Sequence, residues 1–207
     1  GVPFEVLVDE GGHYLAERAA IVVAPGFYRA MRLRPARQIT PQALALIVSV
    51  PSAGWNLPVL PNGDTEAENI ARQFDSPQLL RGQMADLSAI HQALRDSRLF
   101  HFVGHAVALP EMDGLLLPEQ NSATGEARLL NAETLDPRAV QNLDLAVLSA
   151  CDTAITPDTG NAGTQGLAEA LLGAGVPDVV ASRWKVDSAA AETLMRDFYD
   201  EMLAGGN

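Results

Sequence analysis

Leu143–Thr153 reads LDLAVLSACDT, an apolar run that stops on the only cysteine of the 207-residue chain. Leu145, Ala146, Val147 and Leu148 follow one another without a polar break, in a segment too short for an ordinary helix. Such a run reads as a strand buried on both faces. Ser149 and Ala150 are small, so the chain can turn sharply there, which puts Cys151 just past the C-terminal end of a central strand. In open α/β sheets that edge is where ligands and chemistry collect.

The same pattern recurs on both sides of this strand. Ala43–Val50 (ALALIVSV) is a second central strand bounded by prolines, and Leu99–Val103 (LFHFV) is a third that runs straight into Gly104-His105. Pro77–Leu80, Gly114–Leu117 and Val179–Ser182 read as shorter strands, and Pro51–Asp64 and Glu119–Asn131 as loops. Thr65 with Glu68 has capping-box spacing ahead of Ile70 and Phe74. Asp86 caps a helix with Leu87, Ile90 and Leu94 on one face. Leu167, Ala170 and Leu171 mark a third helix that stops at Gly173 and Gly175. Ser188 caps a fourth, with Ala191, Leu194, Met195 and Phe198 on its buried face. Residues 3–24 read as a hairpin-like excursion turning at Gly11-Gly12, followed by one short helix after Pro25. Strands alternating with helices give an α/β fold with a mostly parallel sheet. In a parallel sheet, His105, Cys151 and Asp187 all lie along one edge.

Composition narrows the function classes. Fourteen basic residues against twenty-six acidic ones leave a net charge of −12, which argues against a nucleic-acid surface and against an anionic membrane. A lone cysteine forms no intrachain disulfide, and no apolar run reaches about 18 residues. The cytoplasm is the expected compartment.

The chemistry centres on Cys151 and His105. A thiol is a good nucleophile only as thiolate, and a nearby imidazole supplies first the base and then the acid. His105 lies 46 residues before Cys151, close to the caspase spacing, and the cysteine follows an alanine as it does there. The plainer reading of a single cysteine is a small buried hydrophobe. His101 and His105 are four apart, but a strand puts such positions about 13 Å apart, too far for one metal ion. No metal is expected, and His101 reads as a histidine that faces the core or supports the site from behind. GNAGTQG (Gly160–Gly166) lacks the lysine and hydroxyl of a phosphate loop, and Ser149 lacks the glycines of a nucleophile elbow. Asp113, Asp152 and Asp187 sit near strand ends, where solvated acids are common.

Leu99–His105 with Gly114–Leu117, LDLAVLSACDT, GLAEALLGAGVPDVVASRWKVD and LMRDFY together resemble a CHAT domain. LPNGDTEAENIA and PFEVLVDEGGHYLAERAAIVVAP resemble earlier parts of the same family, so the likeness covers nearly the whole chain, residues 1–207, as one domain. The family is caspase-like and in bacteria often follows tetratricopeptide repeats. The resemblance implies a caspase/separase-like three-layer sandwich and a cysteine endopeptidase without cofactor. His105 in FVGHA takes the place of the catalytic histidine and Cys151 in SACDT that of the nucleophile, with no third orienting acid required.

The family has glycine after the histidine, where this chain has Ala106. The amides of Ala106 and Cys151 are the implied oxyanion donors, provided that alanine keeps a negative φ. Asp152 and Asp187 are candidates to receive a basic P1 side chain, and Trp184 to line the substrate groove. A first sheet strand is expected before Val2-Pro3 and a last helix after Gly206, so the chain reads as a piece of a longer protein. The implied partners are a protein or peptide substrate and a regulatory, tetratricopeptide-type region that relieves latency. The alternatives are a catalytically silent CHAT module acting as an interaction domain, and an ordinary α/β small-molecule binder with a buried cysteine.

Overall fold

Among the described residues seven strands form one sheet: β1 (Ala45–Val50), β2 (Gln78–Arg81), β3 (Leu99–Leu109), β4 (Met112–Leu116), β5 (Leu129–Leu130), β6 (Leu145–Asp152) and β7 (Asp178–Ala181). The computed structural model describes residues 7–19, 35–52, 57–109, 112–118, 129–152, 162–182 and 186–205. The chain divides into two compact units, Gly1–Leu33 and Arg34–Asn207. In the first, Val8 bridges Tyr14 antiparallel around the expected Gly11-Gly12 turn, and Asp9 accepts from the amides of Gly11 and His13. A single 3₁₀ turn, Leu15–Glu17, follows. The expected second arm, Ala20–Ala24, and the start of the helix after Pro25 lie outside the described residues, while residues 35–40 are not helical.

In the second unit β2, β1, β3, β6 and β7 run parallel, β4 adds antiparallel to the far half of β3, and β5 adds antiparallel to β4. Among the described residues four helices cover the sheet: α1 (Gly63–Ala71), α2 (Leu87–Leu94), α3 (Ala162–Gly173) and α4 (Ser188–Leu203). Period-two alternation divides the strand residues between two cores. Leu46, Val48, Phe100, Phe102, Ala146 and Leu148 pack with α2 and α3, whereas Ile47, Leu99, Val103, Leu145 and Val147 pack with α1 and α4. The result is the expected α/β sandwich of three layers.

Several boundaries differ from the sequence expectation. Helix α1 starts at Gly63 behind Asn62, with no side-chain cap, so Thr65 lies inside it. Glu68 is drawn instead to Arg81 and Arg72, at 2.8 and 3.0 Å. Asp86 caps α2 as expected, its carboxylate accepting from the Ala89 amide. The cap of α4 is Asp187 rather than Ser188, because the carboxylate reaches the amides of Ala189 and Ala190. The buried stripe of α4 is Met195 and Tyr199, while Leu194 is 59% exposed. The expected face omitted Tyr199, whose buried ring meets Phe74 and His101 from other elements.

Strands β3 and β6 are longer than their apolar cores. β3 changes neighbours on one side near Gly104, from β1 to β4. A Cβ at that position would lie 2.7 Å from the Phe102 ring and 3.0 Å from the Val50 carbonyl oxygen, which explains the glycine. At the opposite end of the sheet Asp144, fully buried, closes the fold. Its carboxylate accepts from Arg37 Nε at 3.0 Å and from Arg98 Nε at 2.8 Å, tying residues 37–38 to the starts of β3 and β6.

Candidate active site

His105 and Cys151 are register partners on the adjacent parallel strands β3 and β6. Neighbouring strands lie about 4.8 Å apart, and the shared register puts both positions on the face of the sheet covered by α1 and α4. Neither residue is past its strand end, as the sequence suggested. Both lie inside the last turns of the pleat, because β3 and β6 stay hydrogen-bonded as far as Ala106 and Asp152. A parallel ladder has an invariant register, so it holds the two positions together more firmly than two loops would.

The His105 side chain is fully buried, and its Nε2 lies 2.9 Å from the Pro58 carbonyl oxygen. A carbonyl can only accept, so Nε2 carries the proton and donates it. The buried Nδ1 finds no hydrogen-bond partner among the described residues. In the neutral ring that nitrogen holds the lone pair, as a general base requires. Burial pushes the imidazole below its ordinary pKa of 6.5, and the carbonyls of Pro58 and Pro51 oppose this only in part. The ring is therefore neutral at pH 7.

This shift has a consequence for stability. Above pH 6.5 folded and unfolded chains both hold a neutral ring; below it the unfolded chain takes up a proton that the folded one resists. Stability is expected to fall as pH drops from 6.5 through the lowered folded pKa. His91, also pushed down by burial, adds to the same trend. Melting temperatures measured between pH 7.5 and 5.5 should show a shallower decline in His105→Gln than in the parent.

Ala106 follows within β3, opposite Leu115 on β4 and Asp152 on β6. It continues an extended strand, a backbone that alanine adopts as readily as glycine. Asp152 is the last residue of β6, in register with Ala106. Asp187 is an N-cap, its Oδ1 held by two amides at 3.0 and 3.2 Å. Trp184 lies outside the described residues. His101 is in the core as expected, using both ring nitrogens on Tyr199 and Glu66.

Pro58 is the site residue that the sequence reading missed. It acts through a backbone carbonyl, which every residue type owns, and nothing in the Pro51–Asp64 stretch distinguishes the one carbonyl that reaches the imidazole.

A mostly parallel sheet between two helical layers is consistent with a caspase-like fold. The CHAT domain family model matches residues 1–207, and the chain belongs to that family. Membership in a caspase-like family points to a protease or regulatory role. Comparison with curated proteins finds no match. Among solved structures, the apo form of an NADH:FMN oxidoreductase aligns with TM-score 0.43 and 12% identity, over 80% of this chain and 90% of that one. A 2-hydroxyacid dehydrogenase from Ketogulonicigenium vulgare Y25 gives TM-score 0.29 and 15% identity, over 83% and 53%. Both scores are too low to carry an inference about this chain. Among the described residues no helix is long and apolar enough to cross a membrane.

Proposed function

We propose that the chain is a cysteine endopeptidase in which His105 and Cys151 form the catalytic dyad. The observation that carries this reading is the register pairing of the two residues together with an imidazole whose Nδ1 lone pair is left open by the Pro58 bond. Nδ1 accepts the Cys151 thiol proton, and the thiolate adds to the scissile carbonyl. The tetrahedral oxyanion forms at the level of Ala106 and Cys151. His105 then returns the proton to the leaving amine, and activates the water that releases the acyl group.

The substrate is a protein partner cut after a basic residue, with Asp152 and Asp187 as the carboxylates that receive it and Trp184 along the groove. The full burial of His105 supports a closed resting state, opened by an attached sensor or tetratricopeptide-type region in the cytoplasm. The same burial suits the second reading, a silent module that regulates an assembly.

Peptidyl acyloxymethyl ketones that differ only at P1 separate these readings, with labelling of Cys151 followed by mass spectrometry. Arginyl and lysyl probes are expected to label faster than aspartyl ones and faster than iodoacetamide. Preference for aspartate would remove the acidic pocket, and labelling no faster than a free thiol would favour the silent module.

A further inference from the structure

Beneath the dyad, on the same face of the sheet, lies a buried polar chain that the chemistry above does not use. Tyr199 of α4 lies 3.0 Å from His101 Nδ1, and His101 Nε2 lies 3.1 Å from Glu66 of α1. All three side chains are buried, at 0%, 0% and 3% exposure. Burial and the neighbouring Glu66 push the Tyr199 phenol well above its ordinary pKa, so it keeps its proton. The hydroxyl therefore donates to Nδ1, and Nε2–H donates to the Glu66 carboxyl oxygen. Both ring nitrogens, the phenol oxygen and one Glu66 carboxylate oxygen are thus partnered, as a low-dielectric site demands.

Glu66 sits one turn into the helix whose entry segment carries Pro58. That entry is packed tightly against the sheet between the two histidines: a Cβ on Gly63 would lie 3.0 Å from Pro51 Cβ and 3.4 Å from Val103 Cγ1. The Leu60 amide donates to the Pro51 carbonyl at 3.0 Å and the Gly63 amide to Leu60 at 3.2 Å. A shift of α1 along β3 would thus be passed on to Pro58 and to the bond at His105.

We propose that Glu66, His101 and Tyr199 are positioning residues for His105, pinning α1 and α4 to β3 so that the Pro58 carbonyl selects the tautomer with Nδ1 open. The proposal rests on the dyad reading, which gives that tautomer its use. Other ties to α4, from Asn69 of α1 to Glu192 at 2.9 Å and from Gln73, just past α1, to Asp200 at 3.0 Å, involve no β3 side chain and serve as controls.

Four histidines make ¹⁵N-histidine spectroscopy of the whole chain tractable. In the parent, His105 is expected as the Nε2-protonated form with a midpoint below 6.5. In Tyr199→Phe its tautomers are expected to mix and its midpoint to rise, while labelling of Cys151 slows by about ten- to a hundredfold at unchanged probe affinity. Glu66→Gln keeps an accepting oxygen and should keep the parent spectrum, as should Asn69→Ala and Gln73→Ala. Should Tyr199→Phe fail to fold, Glu66→Leu makes the same break from the other end. Folded variants with lowered melting temperatures but an unchanged His105 tautomer and midpoint would overturn the proposal, leaving a stability clamp. If His105→Ala leaves labelling of the parent unaffected, the dyad reading falls, and the spectra still decide the positioning.

Discussion

Replacing His105 by alanine is expected to slow labelling of Cys151 by an arginyl peptide warhead by about a hundredfold or more, the range of a positioned general base. The parent's ring is neutral at pH 7, its proton is committed to Pro58, and the remaining nitrogen is free to accept. Alanine removes that acceptor, and the thiol reverts to its small thiolate fraction. Iodoacetamide on the denatured chain should report equal reactivity in both proteins, which isolates the effect to the folded site. Equal rates for folded parent and variant toward the peptide probe would mean that Cys151 reacts without help from the imidazole.

Asp144→Ala is expected to destabilise the chain by about 3 kcal/mol, the lower end of the range for removing one partner of a buried ion pair. Arg98 is the reason the loss is large: its side chain is only 24% exposed and would keep its charge with no carboxylate beside it, only the carbonyls of Arg37 and Gln38. Arg37 is 55% exposed and can turn to water, which limits the loss. The carboxylate also accepts from the Arg37 amide at 3.2 Å, so residues 37–38 should loosen from the strand starts. Urea titration reads the change directly, and Asp144→Asn should lose less because its oxygen still accepts. A midpoint within error of the parent would show that the two arginines find other partners.

The strands that carry the site were legible because burial on both faces leaves an unbroken apolar run, as in ALIV of β1 and LAVL of β6. The Asp86 cap was legible too, since a carboxylate before an apolar helix has a local partner. Less legible were the ends of β3 and β6. His105, Ala106, Cys151 and Asp152 carry no shared hydropathy signal, and they are strand because a neighbour supplies the ladder. The α4 face was misjudged at Tyr199, which is buried because His101 lies opposite its hydroxyl, a condition set by a residue 98 positions away.

By itself the amino-acid order determined the α/β class, the placing of His105 and Cys151 toward one sheet edge, and the likeness to a caspase-like family. The first two follow from periodicity and residue type, which act over a few neighbouring positions, and the likeness rests on the motifs that carry it. Only the tertiary structure decided that the two residues share a register. It alone showed that Pro58 holds the imidazole proton, and that Glu66, His101 and Tyr199 join two helices to the central strand. Each of these is a hydrogen bond across a long stretch of chain, and its partners are chosen by packing rather than by any local pattern.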